Sequence, residues 1–316
     1  MSAFPQNPSD TRNVLSAEDP TFSVVIATKN RPKSLRACLK SFLRLDYPAN
    51  RWELILVNDG GRWTFSAITP EVRAGLPLRF LNAPRSGGPG YARNLGAREA
   101  RGEYLAFTDD DCRVAPDWLT GFARLFQTQE WDAAGGLTLN PYPGNTAGDA
   151  WNSILAFLYR YRLDSRGNVI LVVTANAAVK RDVWLSLGGF DEKFILSSED
   201  REFSFRLIAS GYRQTFCPEA RVWHHQTKSS AWNYLRIQFR YGRGSFHFHR
   251  KIRRAGTRKN VVIRPNGPRF YPWALWSDLI RGRTRPNVIA LITAGQVIHR
   301  AGRYYEKLRH LVDRIS

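Results

Sequence analysis

Apolar runs that suit buried strands alternate, through the first half of the chain, with stretches whose apolar positions recur every three or four residues. Phe22-Ser-Val-Val-Ile-Ala-Thr28 predicts a buried strand. Leu35, Cys38, Leu39, Phe42 and Leu43 then recur at i, i+3, i+4, i+7 and i+8, which predicts a helix with one face on a sheet. Pro32 suits its first turn, and Tyr47-Pro48 ends it. Further strands are predicted over residues 52–57, 78–81 and 104–107, with helices over about 91–101 and 117–127. Repeated strand-helix units of this kind imply a parallel sheet, hence an α/β fold. The pattern continues with strands over 133–139 and 169–174, a helix over about 151–161, and a turn at Leu187-Gly-Gly-Phe-Asp191 with Phe190 exposed. A helix over 201–210, stopped by Gly211, and a strand over 215–223 that delivers His224 and His225 close this half.

From Ser229 the pattern changes. Trp232, Tyr234, Phe239, Tyr241, Phe246 and Phe248 interleave with Arg236, Arg240, Arg243, Arg250, Arg253 and Arg254, and Trp273 and Trp276 follow. Residues 221–316 carry 21 Lys plus Arg against three acids, so nearly all of the net charge of +20 resides there. Three segments are expected: a polar arm over 1–20, an α/β unit over 21–228, and a basic, aromatic-rich, mostly helical extension over 229–316. Such an extension is drawn to anionic surfaces, either the inner leaflet of a membrane or nucleic acid. The apolar run over 288–298 is well short of the ~20 residues that span a bilayer, which leaves an interfacial helix or one packed on the main unit. Cys38, Cys112 and Cys217 lie far apart with no CxxC, against a disulfide framework or a structural zinc site, and no signal peptide is evident at the N-terminus. A cytoplasmic protein is expected, peripheral at the inner face of the plasma membrane if the extension binds lipid.

The candidate chemistry sits where the strands end. Tyr104-Leu-Ala-Phe-Thr-Asp-Asp-Asp-Cys112 runs from a buried strand into three carboxylates, at the sheet edge where open α/β folds bind ligands. In extended backbone Asp109 and Asp111 would share a side opposite Asp110, placed to hold a divalent cation against a phosphate. Asn58-Asp-Gly-Gly61 ends the second strand in the same polar manner, and Ser86-Gly-Gly-Pro-Gly90 reads as a loop whose backbone passes close to something. There is no GxGxxG in register after the first strand. Ser197-Ser-Glu-Asp200 has the form of a capping box, and also places two acids at the start of a helix.

Val24-Val-Ile-Ala-Thr-Lys-Asn-Arg31, Leu56-Val-Asn-Asp-Gly-Gly61, Gly90-Tyr-Ala-Arg-Asn94, Asp109-Asp-Asp111 and Ser198-Glu-Asp200, in that order, resemble the inverting nucleotide-sugar glycosyltransferases of family two. The resemblance covers about 22–225 and, more loosely, Arg240-Tyr-Gly-Arg-Gly244. It implies the nucleotide-diphospho-sugar transferase fold, a Rossmann-like parallel half joined to a mixed sheet. It further implies that Ala27, Thr28, Arg31, Asp59, Arg93, Asp109 and Asp110 bind the nucleotide, and that Asp111, Asp109 and His224 hold Mg²⁺ or Mn²⁺, with His225 as the alternative histidine. Asp200 would be the base that deprotonates the acceptor hydroxyl, with Glu199 alongside. Gly188-Gly-Phe-Asp191 matches the acceptor-side loop, with Asn176 near it. Where the family pairs two acids at the end of the second strand, this chain has Asn58 before Asp59. The implied partners are a nucleotide-diphosphate sugar donor and a saccharide or lipid-linked acceptor. A nucleic-acid-binding protein working through its Arg and aromatic residues explains the extension but not the five ordered motifs, and a non-catalytic nucleotide-sugar binder is disfavoured by the intact acids.

Overall fold

A computed structural model describes residues 21–62, 68–128, 130–160, 167–225, 230–254 and 270–313. The polar arm, the boundary at 228/229 and the Trp273 side chain lie outside these residues. Eight strands form one sheet in the order β3-β2-β1-β4-β7-β6-β8-β5. β1 (Phe22–Thr28), β2 (Trp52–Asn58), β3 (Leu78–Asn82) and β4 (Tyr104–Asp109) are mutually parallel. Both faces of β1, β2 and β4 are covered, which is why their centres read as apolar runs, whereas β3 at the sheet edge is only partly buried. α1 (Pro32–Phe42) covers one face through Leu35, Cys38, Leu39 and Phe42, as its spacing predicts. α3 (Pro89–Arg98) covers the other, with Gly96 wedged where a Cβ would strike Val25 and Val57.

The mixed half begins at β4. β7 (Asn176–Lys180) pairs antiparallel with β4 and with β6 (Ala133–Leu139), β8 (Gln214–His224) runs parallel to β6, and the short β5 (Cys112–Val114) edges β8. The strand expected over 169–174 is not there: apart from a bridge at Val169, residues 170–175 are irregular, and the strand is the next segment, Asn-Ala-Ala-Val-Lys. The seam between β4 and β6 takes small residues, with Ala177 opposite Gly135 and Ala178 opposite Ala134, where branched Val and Leu would not fit as closely. Asn176 pins that seam. Its Nδ2 donates to the Leu137 and Ala220 carbonyls, its Oδ1 accepts from Trp118 Nε1, and it is fully buried.

α4 (Trp118–Thr128) packs on β8, and α6 (Arg181–Ser186) leads into the Gly188-Gly-Phe-Asp191 turn. Phe190 in that turn is buried, not exposed, at 3% relative accessibility, against Phe107, Trp184 and Phe203. Asn94 of α3 holds the turn in place, donating to the Phe190 carbonyl and accepting from its amide.

The basic extension forms α8 (Ala231–Arg254), α9 (Phe270–Arg281) and α10 (Pro286–Val312). They share an apolar cluster with α5 (Thr146–Arg160), in which Ile154, Phe157, Tyr234, Leu275, Leu279, Val288 and Ile292 meet. The apolar face of the 288–298 run is therefore spent on this packing. Tyr234, Phe246 and Phe248, aromatic residues that a nucleic-acid interface would need for base stacking, are buried between helices. No helix among the described residues is long and apolar enough to cross a membrane.

Candidate active site

A cleft of about 1770 Å³ opens at the carboxyl ends of the parallel strands. Ala27, Thr28, Arg31, Asp59, Arg93, Asp109, Asp110, Asp111, Glu199, Asp200 and His224 all line it, although they come from five separate elements and the loops between them.

The acids of the central stretch take three different environments. β4 stops at Asp109, and Asp110 and Asp111 form a turn before β5, so the alternation of an extended chain fails there. Asp109 accepts from Arg93 Nη2 at 2.6 Å. Asp110 is buried and accepts from Thr28 Oγ1 at 2.7 Å and Arg31 Nη1 at 3.0 Å; burial nevertheless pushes its carboxyl up to about 6. Asp111 shares the same Arg31 nitrogen at 3.1 Å and faces His224 Nε2 across 3.1 Å. Burial opposes ionisation of both partners of this last pair, but their mutual attraction wins: the Asp111 carboxyl lies below its ordinary value and the His224 imidazole above its own. His225 instead turns away to the Tyr142 hydroxyl, 3.0 Å from its Nδ1, and is not part of the cleft wall.

Asp111 Oδ1 is a buried oxygen with no well-formed hydrogen bond, set opposite an imidazole nitrogen. Oxygen and nitrogen donors so arranged fit a hard divalent cation such as Mg²⁺ or Mn²⁺. Cys112 lies beside them, within 4.8 Å. Its thiol is buried in the core, and burial together with Asp109 and Asp111 drives its pKa well above the ordinary value, so it offers no thiolate.

Asp59 does not stand free. Its carboxylate accepts from the Gly87 amide at 2.8 Å, the Gly88 amide at 3.1 Å and Ser86 Oγ at 3.2 Å, and so fixes the glycine loop in front of α3. Gly88 adopts φ +86°, open only to glycine without strain, and a Cβ on Gly87 would enter the Tyr91 ring. This loop and the first turn of α3 present backbone to the cleft, a setting that favours anions.

On the opposite wall α7 (Glu199–Ala209) begins without a capping box: Ser198 is left-handed at φ +79° and caps nothing, and Ser197 Oγ is buried without a partner. The helix is instead tied down by ion pairs. Arg93, buried, donates to Glu199 Oε1 at 3.0 Å while it holds Asp109, so one guanidinium joins the acid that ends β4 to the acid that opens α7. Both neighbours raise its pKa against the burial that would lower it, and it stays charged. Asp200 accepts only a local bond in the described network, from the Arg201 amide at 2.7 Å. Burial first, and then the charge of Glu199, push its carboxyl up to about 7.

Sequence reasoning missed the far wall of the cleft. Tyr241, His249, Arg253, His299, Arg300 and Arg303 from α8 and α10 line it. Their helical spacing was legible, but nothing in the order of residues says that the extension folds back over the sheet.

A sheet of this topology, with an acid cluster at the end of β4 and an acid-headed helix across the cleft, is the fold of the nucleotide-sugar transferases. Solved structures share the fold. A Pyrobaculum calidifontis mannosyltransferase, PcManGT, in complex with GDP-Man and Mn²⁺, superposes with a TM-score of 0.63 at 18% identity over 93% of this chain and 85% of that one. Staphylococcus aureus TarS 1–349 in complex with UDP-GlcNAc gives 0.51 at 17% identity over 92% of each. Residues 23–185 match the model of Glycosyl transferase family 2, and the chain belongs to that family. In sequence it is similar to the glycosyltransferase AglE of Haloferax volcanii, 27% identical over 227 residues that span 71% of this chain and 73% of AglE. Other relatives are longer, and the chain spans as little as 18% of one.

Proposed function

We propose that this glycosyltransferase moves a sugar from a nucleotide-diphosphate donor to an acceptor hydroxyl with inversion at the anomeric carbon, in a metal-dependent reaction. The observation that carries the reading is the placement of Asp200, a carboxyl with its pKa pushed up to about 7, in one cleft with the Asp111–His224 pair. A base poised near neutrality accepts a hydroxyl proton efficiently. Glu199 is engaged by Arg93 and acts by raising the proton affinity of its neighbour. Among the described acids that open α7, Asp200 has no ion pair, and one displacement in line is proposed: the acceptor oxygen forms the new bond to the anomeric carbon, its proton passes to Asp200, and the nucleoside diphosphate departs with the electron pair.

Asp111 and His224 would hold the divalent ion, which when bound supplies positive charge to the leaving diphosphate. Arg31 ties Asp110 and Asp111 into one unit, Asp59 fixes the glycine loop beside the nucleotide, and Arg93 keeps the two walls in register. The mannosyl and N-acetylglucosaminyl donors seen with its structural neighbours, GDP-Man and UDP-GlcNAc, head the panel of candidates.

Thermal unfolding of the whole chain with a panel of nucleotide sugars, with and without Mn²⁺, tests the reading. A donor at a hundred times its Kd adds about 2.7 kcal/mol of stability, and the Asp111→Asn variant should lose the Mn²⁺-dependent part of that gain while keeping its own fold. A chain that responds to no donor, or an Asp111→Asn variant that responds to Mn²⁺ as the parent does, would refute the assignment.

A further inference from the structure

The far wall of the cleft carries charge that the transfer reaction as described does not use. α8 presents Tyr241, Ser245, His249, Ile252 and Arg253 at three- and four-residue spacing, and α10 presents His299, Arg300 and Arg303 in the same way. Two glycines bring these faces together. A Cβ on Gly242 would overlap the His299 carbonyl oxygen, and one on Gly302 the Phe239 carbonyl oxygen, so the helix backbones touch at the crossing. The result is a basic cluster on the same cleft as Asp200, continuous with it through Arg201, whose guanidinium lies over the Phe248 ring.

No acid among the described residues neutralises this cluster. Among the described residues no carboxylate lies within ion-pair distance of Arg253, Arg300 or Arg303, and Glu306, the acid of α10 closest in sequence, is committed to Arg243 and His247 on another face. The repulsion registers on its members. Burial, with Arg201, Arg303 and Arg253 around it, pushes His249 down to about 3; burial with Arg201, Arg303 and Arg300 pushes His299 down to about 4. Arg303 is itself lowered, by burial and Arg253. Like charges gathered along one wall repel one another, and that repulsion is relieved when an anion occupies the space between them.

We propose that the wall formed by His249, Arg253, His299, Arg300 and Arg303 is the subsite for a phosphate or diphosphate group carried by the acceptor. This rests on the proposed transferase reading, in which the donor diphosphate belongs to the Asp111–His224 side and the acceptor hydroxyl to Asp200. The subsite lies on the helices that flank Asp200 and Arg201, so an acceptor anchored there by its anionic group extends its hydroxyl toward the base. The same cleft is also lined by apolar Leu155 and Leu158 of α5 and Ile252 of α8, which suits an acceptor whose phosphate joins an apolar moiety.

The test uses the full chain in EDTA, which leaves a metal-dependent donor site out of the measurement. Calorimetric titration with geranyl diphosphate and with inorganic pyrophosphate is compared with flotation on phosphatidylglycerol and phosphatidylcholine vesicles, for the parent, Arg300→Gln/Arg303→Gln, and Arg253→Gln. All three arginines are exposed on helix surfaces, so each variant retains its packing. Geranyl diphosphate should bind the parent and bind the double variant roughly tenfold or more weakly, as expected for loss of charge-assisted bonds, with Arg253→Gln intermediate. Pyrophosphate binding with the same variant dependence assigns the affinity to the anion itself and supports the subsite. Absence of diphosphate binding, equal binding by parent and variants, or binding to phosphatidylglycerol vesicles alone overturns it. The donor-induced thermal shift of the parent, read in parallel with Mn²⁺, separates the two failures: a chain that answers donors but not geranyl diphosphate sinks the subsite and leaves the transferase reading standing.

Discussion

Asp200→Asn should make the protein more stable while it stops transfer, and the pH dependence of that gain is calculable from the site. The carboxyl ordinarily titrates at 3.8 and is pushed up to about 7 by burial and by Glu199. Between those values the unfolded chain has released its proton and the native chain still holds it. Stability therefore falls as pH rises through this window, is unaffected below it, and reaches its full deficit above about 7. At about 1.4 kcal/mol per unit, three units set a ceiling of about 4 kcal/mol. Because the carboxylate opens onto a hydrated cleft, about half of that, roughly 2 kcal/mol, is the expected gain. Asparagine keeps the oxygen that accepts from the Arg201 amide and removes the charge that confronts Glu199. The assay is urea unfolding in EDTA at pH 4, 5, 6, 7 and 8, where titrating groups remote from Asp200 are common to both proteins and cancel in the difference. The variant and parent should coincide near pH 4 and diverge progressively to pH 8, with the donor-induced shift preserved in both. A difference that is flat across the range, or a variant less stable than the parent at pH 8, would show that Asp200 ionises in the native state without penalty and would remove the case for a poised base.

Arg93→Met leaves Asp109, Glu199 and Asp200 facing one another without a counter-charge, and loss of one partner of a buried pair costs roughly 3–5 kcal/mol; the urea midpoint should drop at pH 8 and recover toward pH 5 as the carboxyls take up protons, whereas an equal loss at both would point to packing alone. Gly242→Ala places a methyl group against the His299 carbonyl at the crossing of α8 and α10, for a loss of roughly 1–3 kcal/mol; limited proteolysis should release α10 sooner than in the parent, and an unchanged digestion rate would mean that the crossing is not held by that contact.

The order of residues alone determined the parallel half and the acids at its tips. β1, β2 and β4 read directly from apolar runs because both faces of those strands are covered, and α1 from its 3.6-residue period because only one of its faces is. Its polar strand ends marked Asp59, Asp109, Asp110 and Asp111 as candidates, because carboxylates gathered where the apolar runs stop call for a ligand. Where local pattern misled, the deciding contacts come from residues distant in the chain. The apolar stretch at 169–174 was displaced from the sheet by the small-residue segment after it, since the seam between β4 and β6 selects for size and not for hydrophobicity alone. Ser197 to Asp200 has the letters of a capping box, yet Arg93, more than a hundred positions earlier, holds the helix start and shapes the proton affinity of Asp200. The basic wall over the cleft depends on two glycines that let α8 and α10 approach, a tertiary contact between segments about sixty residues apart in the chain. Periodicity reports which face of an element meets an apolar neighbour; only the assembled structure decides which neighbour that is, and pKa values and charge clusters follow from the neighbour.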